Sequence, residues 1–316
     1  MLCPHCQRQA GQFGRTANGS QRYRCASCAR TFTDDTTRAP DRRRGDPEIM
    51  SLALRLLLEG TSIRALERQL HIGRNTIMWA MVDADEKCHA FFEKTVCNVR
   101  VDDVQADEVW AFCGMKEKTR LRLNRPECFG DVWCFTALER TTKLILTYHV
   151  GKRSPDDTAI FADNLYRATQ GRFQLTTDGY TPYRTTIPAI LGGRVDFATL
   201  VKVYGDSPDE GRYSPGVVTE VIATARLGDP DEARVCTSHV ERSNKTLRMQ
   251  IRRLTRLTDA HSKKWANHEA AMALFFAYYN FCRRHMTIKM TPAQRAGLTT
   301  ETWSLERLLE EANRIQ

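Results

Sequence analysis

The chain has 316 residues, with 47 lysines and arginines against 38 acidic residues, a net charge of +9 and a pI of about 9.1. This length allows two or three domains with a sizeable core, and the basic excess favours a polyanionic partner. No secretory leader follows Met1 and no long apolar run occurs, which argues against export and membrane insertion; eleven cysteines in a cytoplasmic chain then suggest metal binding.

Residues 1–33 contain two C-x-x-C pairs separated by eighteen residues. Four thiols at this spacing can close a tetrahedral site around one structural zinc ion: Cys3, Cys6, Cys25 and Cys28. Because the segment between the pairs is polar and rich in glycine, metal binding would supply its folding energy. Interleaved arginines and aromatic residues favour a zinc ribbon that touches nucleic acid, although a zinc-stapled cap without DNA contact fits the same pattern.

Residues 34–47 predict a basic linker, which can follow a phosphate backbone or remain a solvated run of charge. Residues 48–90 predict three short helices, with a tight turn at residues 71–73 before the third. This order is typical of a helix-turn-helix domain that presents Arg74, Asn75 and Thr76 to the DNA groove. Many helical hairpins of this kind bind nothing, but the preceding ribbon favours the DNA-binding alternative. Residues 88–103 predict a connector.

An acidic pair then interrupts an apolar strand, in Ala106-Asp107-Glu108-Val109-Trp110. Because a buried strand normally excludes charge, a cation should lie opposite these acids, either an arginine or a divalent metal ion. Two further strands at 131–138 and 144–150 follow after short links and predict an antiparallel meander. A helix begins at Ser154-Pro155, and its first-turn aspartates are explained by the helix dipole.

A fourth strand at 173–177 ends at Asp178, and a fifth covers residues 195–204 after a helix. Together these elements predict an α/β layered sheet with mixed strand pairing. Residues 205–235 are rich in glycine and proline, contain a hairpin-like run at 217–222, and predict an insertion.

A long helix is predicted from Ser238 to about Leu257, with Glu241 in its first turn. Three cations share the stripe of Glu241 at helical spacing: Lys245, Arg248 and Arg252. If strands one and four are neighbours and this helix packs over them, Asp107, Asp178 and Glu241 converge. Three such carboxylates would repel one another unless they bind Mg²⁺ or Mn²⁺, and two such ions about 4 Å apart can drive phosphoryl transfer.

The order and spacing of the motifs resemble the DDE transposases of bacterial insertion sequences, and most of all the insertion-sequence-one type with a zinc ribbon and a helix-turn-helix. The motifs are residues 106–110, Thr177-Asp178-Gly179-Tyr180, His239-Val240-Glu241-Arg242-Ser243-Asn244 with Leu247-Arg248, Tyr279-Asn280-Phe281, His285 and Thr291-Pro292-Ala293. The resemblance implies an RNase H-like mixed five-stranded sheet flanked by helices over residues 100–285, with the insertion at about 205–235. A C-terminal helical tail would cover residues 286–316.

The resemblance also implies a function. The triad would be Asp107, Asp178 and Glu241, which would bind two Mg²⁺ or Mn²⁺ ions, with Glu241 the least secure because its spacing from Asp178 is long. The enzyme would bind double-stranded DNA at terminal inverted repeats, hydrolyse a phosphodiester and join the freed 3′-hydroxyl to target DNA. It would work near the bacterial nucleoid, as a homodimer or higher oligomer on DNA and without a membrane.

Some alternatives stay open. Glu108 would support the triad, and His239 would either touch the scissile phosphate or cap and pack the helix start. The DNA contacts would come from Arg74, Asn75 and Thr76 and from the cationic stripe of the long helix. The same sequence fits a DNA-binding regulator derived from a transposase, or a structure-specific nuclease with the same core.

Overall fold

The computed structural model describes residues 1–3, 8–16, 21–33, 46–205, 217–255 and 259–315. The chain divides into two compact units, Met1–Pro47 and Glu48–Gln316. Cys6 and most of the predicted linker lie outside the described residues, as do residues 206–216 of the predicted insertion. Within the described residues, no helix has the length and apolar character needed to cross a membrane.

The first unit is a small antiparallel sheet. Its strands are β1 (Ala10–Arg15), β2 (Gln21–Cys25) and β3 (Thr31–Thr33), in the order β1-β2-β3. Its described core consists of the buried Cys3, Ala10 and Cys25, against which a few partly buried side chains pack. Two of the three core residues are therefore thiols.

The second unit contains the remaining helices and strands. The helices are α1 (Pro47–Leu58), α2 (Ile63–Leu70), α3 (Arg74–Asp83), α4 (Asp85–Thr95), α5 (Glu117–Arg122), α6 (Pro155–Ala168), α7 (Tyr183–Ile190), α8 (Ser238–Gln250), α9 (Trp265–Phe281), α10 (Pro292–Arg295) and α11 (Leu305–Asn313). The strands are β4 (Val99–Arg100), β5 (Asp103–Cys113), β6 (Gly130–Glu139), β7 (Ile145–Gly151), β8 (Thr169–Gln170), β9 (Phe173–Thr177), β10 (Val195–Gly205) and β11 (Val217–Leu227). Helices α1 to α3 belong to the same compact unit as the sheet.

The main sheet has the strand order β11-β10-β9-β5-β6-β7. Strands β5, β6 and β7 form the predicted antiparallel meander, and β9 pairs parallel with both β5 and β10. The described sheet has six strands rather than the five expected, because the run predicted as an insertion hairpin is β11, antiparallel to β10. Its consecutive β-branched residues favour an extended strand, and β10 offers an edge on which it pairs. The sheet is therefore mixed and flanked by helices.

Residues 88–103 are not merely a connector, because α4 occupies the first half of this stretch. Its buried face is formed by Cys88, Phe91 and Phe92, three residues at helical spacing. The ring of Phe91 lies 5.0 Å from that of Phe281 in α9, at an edge-to-face angle of 67°. This packing ties α4 to α9.

Helix α8 ends at Gln250, several residues earlier than the predicted end near Leu257. Ile251 is extended, and a short 3₁₀ turn covers Arg252–Leu254. The Thr255 hydroxyl donates to the Arg248 carbonyl at 3.0 Å, and the Arg248 guanidinium donates to the Leu254 carbonyl at 3.0 Å. These bonds satisfy the helix end without further helical turns. Arg252 therefore lies outside the helix that was expected to carry it.

Candidate active site

Strand β5 carries two adjacent carboxylates, Asp107 and Glu108. Successive side chains of a strand leave the backbone toward opposite faces, so the two residues meet partly different neighbours, although one oxygen of each reaches the same group of acids. Asp107 is half-buried and Glu108 is buried. Asp107 turns one oxygen back to its own strand, where it accepts from the Glu108 backbone N–H at 2.8 Å.

Strand β9 delivers the third carboxylate to the same place. It runs parallel to β5 with Ala106 opposite Thr177, so the next residue of each strand, Asp107 and Asp178, falls at the same level. Carboxylate oxygens of Asp107, Glu108 and Asp178 all lie within 4.8 Å of one another. Two residues 71 positions apart are thus brought together by strand register alone.

Helix α8 is fastened to β5 beside this group. The Gln105 side-chain oxygen accepts from the backbone N–H groups of His239 at 3.0 Å and Val240 at 3.1 Å, and so caps the helix start. One turn later the Asn244 amide donates to Asp107 at 2.7 Å. The helix is therefore held over the strand by contacts on both sides of Glu241.

Glu241 lies at the start of α8, as predicted, but its carboxylate has other partners. The Lys202 ammonium of β10 lies 2.6 Å from one oxygen, and the Thr237 hydroxyl donates to the other at 2.7 Å. Among the described residues, Glu241 is not part of the group whose oxygens lie within 4.8 Å. Its side chain is 44% exposed and is near enough for its charge to raise the pKa of Asp107.

An arginine lies opposite two of the acids. The Arg153 guanidinium, just before α6, lies 3.0 Å from a Glu108 oxygen and 3.5 Å from an Asp178 oxygen. It is held over the rings of Trp133 at 4.6 Å and Tyr180 at 4.1 Å, a cation–π arrangement. The cation required by the buried Glu108 is therefore an arginine.

Asp107 is in a different situation. In the described part of the chain its recorded hydrogen-bond donors are the Asn244 amide and the Glu108 N–H, and it has no ion pair. Burial raises its pKa to about 6, and the charges of Asp178 and Glu241 add to the effect. Burial likewise raises the pKa of Glu108 to about 7, with a contribution from Asp178 that Arg153 opposes. Both acids would be stabilised in their charged form by an additional cation.

The donor set fits a hard divalent cation. Carboxylate oxygens are the ligands that Mg²⁺ and Mn²⁺ prefer. The Asn244 side-chain oxygen is buried beside Asp107 and has no hydrogen-bond partner among the described residues, so it could accept from a metal-bound water. Asp107 and Asp178 are the residues best placed to hold such an ion, with Arg153 competing for Asp178.

The first unit holds a separate group of sulfur ligands. The sulfur atoms of Cys3, Cys25 and Cys28 lie within 4.8 Å of one another, and those of Cys3 and Cys28 are 3.6 Å apart. Tetrahedral zinc with bonds of about 2.3 Å places its sulfur ligands about 3.8 Å apart. The three thiols therefore fit a zinc ion.

Comparison with known proteins identifies a relative. No family profile matches the chain. A stretch of 77 residues, 24% of this chain, is 34% identical to the insertion element iso-IS1N protein InsA of Shigella dysenteriae and spans 81% of that protein. The chain belongs to the InsA family of insertion-element proteins. A piggyBac transposase synaptic complex with hairpin DNA aligns with 83% of this chain and 68% of its own, at 10% identity and a TM-score of 0.37. Those values are too low to assign a shared fold.

The residues predicted to contact DNA in this InsA-family chain lie at the start of α3 and along α8 with the turn that follows it. Arg74 and Asn75 are exposed at the start of α3, and Thr76 beside them is half-buried. Lys245 and Arg252 are exposed, whereas the Arg248 guanidinium bonds to the end of its own helix segment. In the first unit, Arg22 and Arg24 lie over the exposed ring of Phe13 at 5.7 and 5.3 Å.

No role was predicted for Arg153, Lys202, Gln105 or Asn244, although Asn244 belongs to the motif around Glu241. Asn244 follows Glu241 by three residues, so helical spacing alone could have placed the two on one face. Arg153 and Lys202 meet the acids only through the tertiary fold. His239 contacts the Lys143 ammonium at 3.1 Å, and burial with that charge lowers its pKa.

Proposed function

We propose that the chain is a DNA transposase of the DDE type, with an RNase H-like sheet as its catalytic core. One observation carries the proposal: Asp107 and Asp178 lie side by side on neighbouring parallel strands, beneath a helix that bears Glu241. The InsA relative supports an origin in an insertion element. That relative matches only 77 residues, so the activity of the remainder is argued from the site itself.

The residues of the site divide the work. Asp107 and Asp178 would hold one or two Mg²⁺ or Mn²⁺ ions, which would supply activation of the attacking oxygen and charge neutralisation at the phosphate. Asn244 orients the Asp107 carboxylate, and Gln105 keeps the start of α8 against β5. The Arg153 guanidinium balances Glu108 and also lies near one oxygen of Asp178, whose other oxygen accepts from the Tyr180 backbone N–H at 2.9 Å.

The third carboxylate has two candidates. Glu241 has the place in the sequence that the resemblance to DDE transposases implies for the third acid. Its side chain is exposed and can rotate away from Lys202. Glu108 lies nearer to the other two acids, but its charge is engaged with Arg153. We assign the role to Glu241, with Glu108 as a support whose ion pair keeps Arg153 in place.

DNA binding would come from the first unit and from α3. The proposed zinc ligands are Cys3, Cys6, Cys25 and Cys28, although Cys6 lies outside the described residues. The backbone N–H of Cys3 donates to the Arg8 carbonyl at 2.8 Å, and that of Cys25 to the Arg30 carbonyl at 3.0 Å. Both bonds join residues five positions apart, and Cys6 follows Cys3 by the same number of residues as Cys28 follows Cys25. Arg74, Asn75 and Thr76 would read the groove, with Lys245, Arg248 and Arg252 toward the backbone.

The test compares cleavage and binding on DNA from the ends of the element that encodes the chain. Asp107→Asn, Asp178→Asn and Glu241→Gln should abolish Mg²⁺-dependent cleavage and leave end binding intact in a gel shift. Asp163→Asn is the matched control, because Asp163 forms an exposed pair with Arg167 on α6. Retained cleavage by the Asp178 variant would exclude the assignment.

The same experiment separates the alternatives. A DNA-binding regulator would shift the DNA with or without added Mg²⁺ and would cleave under neither condition. A structure-specific nuclease would cleave but would not join pre-cleaved ends to a target duplex. A transposase should do both, and sedimentation of the DNA complex should show at least two copies of the chain.

A further inference from the structure

A cavity of about 870 Å³ lies in the second unit, between the helix-turn-helix region and the segment that joins α8 to α9. Its walls come from the end of α1, the first turn of α2, one face of α3, and residues within 251–253 and 259–275. The floor is apolar, with Leu58, Met81 and Leu274 buried beneath it. This is the size range of sites that enclose a ligand.

The lining of this cavity is strongly basic. Six cations line it, namely Arg64, Arg74, Arg252, Arg253, Lys263 and Lys264, against the single acid Asp259. Within the described ranges, none of the six side chains forms an ion pair with a carboxylate. Positive charge concentrated over a low-dielectric floor attracts anions.

Arg253 is the most unusual of the six. Its guanidinium is largely enclosed, and its hydrogen-bond acceptors among the described residues are the Ser262 hydroxyl at 3.4 Å and the Met81 sulfur at 3.5 Å. Burial lowers its pKa to about 10, so it stays charged at neutral pH. A buried charge without a carboxylate partner is costly, and an external anion would remove that cost.

We infer that this cavity binds the sugar-phosphate backbone of one DNA strand, with a phosphate on Arg253 and neighbouring phosphates on the rim. A guanidinium fork matches a phosphate bidentately, and exposed lysines and arginines neutralise the phosphates on either side. Arg74 belongs to both the cavity wall and the first turn of α3, so a strand held here is continuous with DNA read by α3. The inference rests on the proposed DNA-binding function.

The experiment measures binding of a labelled element-end duplex by fluorescence anisotropy over a series of NaCl concentrations. Arg253→Gln should weaken binding about tenfold or more, and the slope of log K against log salt should fall in magnitude by about 1, because one phosphate is no longer neutralised. Arg314→Gln is the matched control, because Arg314 is 69% exposed, pairs with Glu311 and lies outside the cavity lining. It should leave both quantities unchanged.

Two further variants keep the test decisive if Arg253→Gln does not fold, as judged by circular dichroism. Arg253→Lys retains the charge and should restore binding in part. The double variant Arg64→Gln/Lys264→Gln alters exposed rim positions only and should lower the slope by about 2. An unchanged slope of log K against log salt in the folded cavity variants would overturn the inference and leave the proposed function standing. A wild-type protein that binds no end DNA would overturn both.

Inorganic phosphate distinguishes the two sources of the anion. One outcome is that phosphate raises the melting temperature of the wild type but not of Arg253→Gln, while the two proteins have equal salt slopes for DNA binding. The site then takes free phosphate, and the assignment to the DNA backbone is wrong. If the DNA slopes differ as stated, the backbone assignment holds whether or not phosphate competes.

Discussion

The three thiols of the first unit and the three acids of the second differ in what surrounds them. Cys3 and Cys25 are themselves most of the described core of their unit. The acids instead lie on a six-stranded sheet whose core is formed by other residues, and they already have internal partners such as Arg153 and Asn244.

This difference predicts two uses of metal. Where the ligands are the core, the ion supplies the folding energy, and its removal unfolds the unit. The acids of the second unit lie on a core formed by other residues, so the ion there would serve catalysis. Its removal should abolish activity and leave the fold intact.

The largest effect is expected in the first unit. Cys25→Ser removes a buried ligand and should unfold residues 1–33, with loss of one equivalent of zinc and weaker end binding. Zinc content by elemental analysis and the amide NMR signals of this unit measure the result. Cys128→Ser, at an exposed cysteine of the second unit, is the control and should change neither. Unchanged zinc in the Cys25 variant would reject the structural-zinc assignment.

Removal of Arg153 tests the internal partner of the acids. Arg153→Gln leaves the charge of Glu108, whose side chain is 1% exposed, without its cation. Breaking such a pair is costly only while the acid stays charged, so the measurement is made at pH 9, above the pKa of Glu108. Without Mn²⁺ the free energy of unfolding should then fall by up to about 3 kcal/mol, because proton uptake by Glu108 limits the cost. Mn²⁺ should restore much of this stability, because it supplies the missing charge.

Denaturation with and without Mn²⁺ gives the comparison. Arg167→Gln, which breaks an exposed pair on α6, should change stability by less than about 1 kcal/mol and show no response to Mn²⁺ beyond that of the wild type. If Mn²⁺ stabilises the Arg153 variant no more than the wild type, Glu108 and Asp178 are not near the bound ion.

A third effect concerns pH in the absence of divalent ions. The pKa of Glu108 is raised from 4.5 to about 7 in the folded chain, so the folded state holds its proton where the unfolded state has released it. The associated stability is present below about pH 4.5 and is lost as the pH rises toward 7. Relative to Glu108→Gln, the wild type should therefore lose on the order of 2–3 kcal/mol between pH 4 and 8.

The paired comparison is needed because another group acts in the opposite direction. Burial lowers the pKa of His268 from 6.5 to about 3, so His268 destabilises the fold as the pH falls below 6.5. That contribution is common to both proteins and cancels in the difference. A difference that does not vary with pH would mean that Glu108 titrates in the folded chain as it does in the unfolded chain.

Much of the fold follows from local patterns in the sequence. The meander of β5, β6 and β7 follows from apolar strands and short links. The start of α6 follows from its cap, since the Asp157 N–H donates to the Ser154 hydroxyl at 3.1 Å. Helix α4 is not evident from the sequence, because charged residues on either side of Phe91 and Phe92 obscure a short apolar face.

The site was only partly accessible to the same reasoning. The sequence places acids at a strand centre and a strand end, and parallel register then brings Asp107 beside Asp178. It could not show that Arg153 would reach Glu108 or that Lys202 would reach Glu241, because those contacts depend on side-chain directions across the sheet. Of the two cations that the sequence allows, the arginine is found at Glu108. Asp107 has no ion pair among the described residues, and a metal ion there stays a proposal.

The smallest expected effect decides the role of Glu241. Its ion pair with Lys202 is partly exposed, at 44% and 26% for the two side chains, so Lys202→Gln should change stability by less than about 1 kcal/mol. If Glu241 is the third metal ligand, the substitution frees it and removes a nearby positive charge, and Mn²⁺ should bind up to about fivefold more tightly. Lys87→Gln is the control. It breaks the ion pair between Lys87 in α4 and Asp83 in α3, and it should leave Mn²⁺ affinity unchanged. Calorimetric titration measures the Mn²⁺ affinity of each variant. Equal affinity in the Lys202 variant and the wild type would assign the third ligand to Glu108, which has an oxygen beside those of the other two acids.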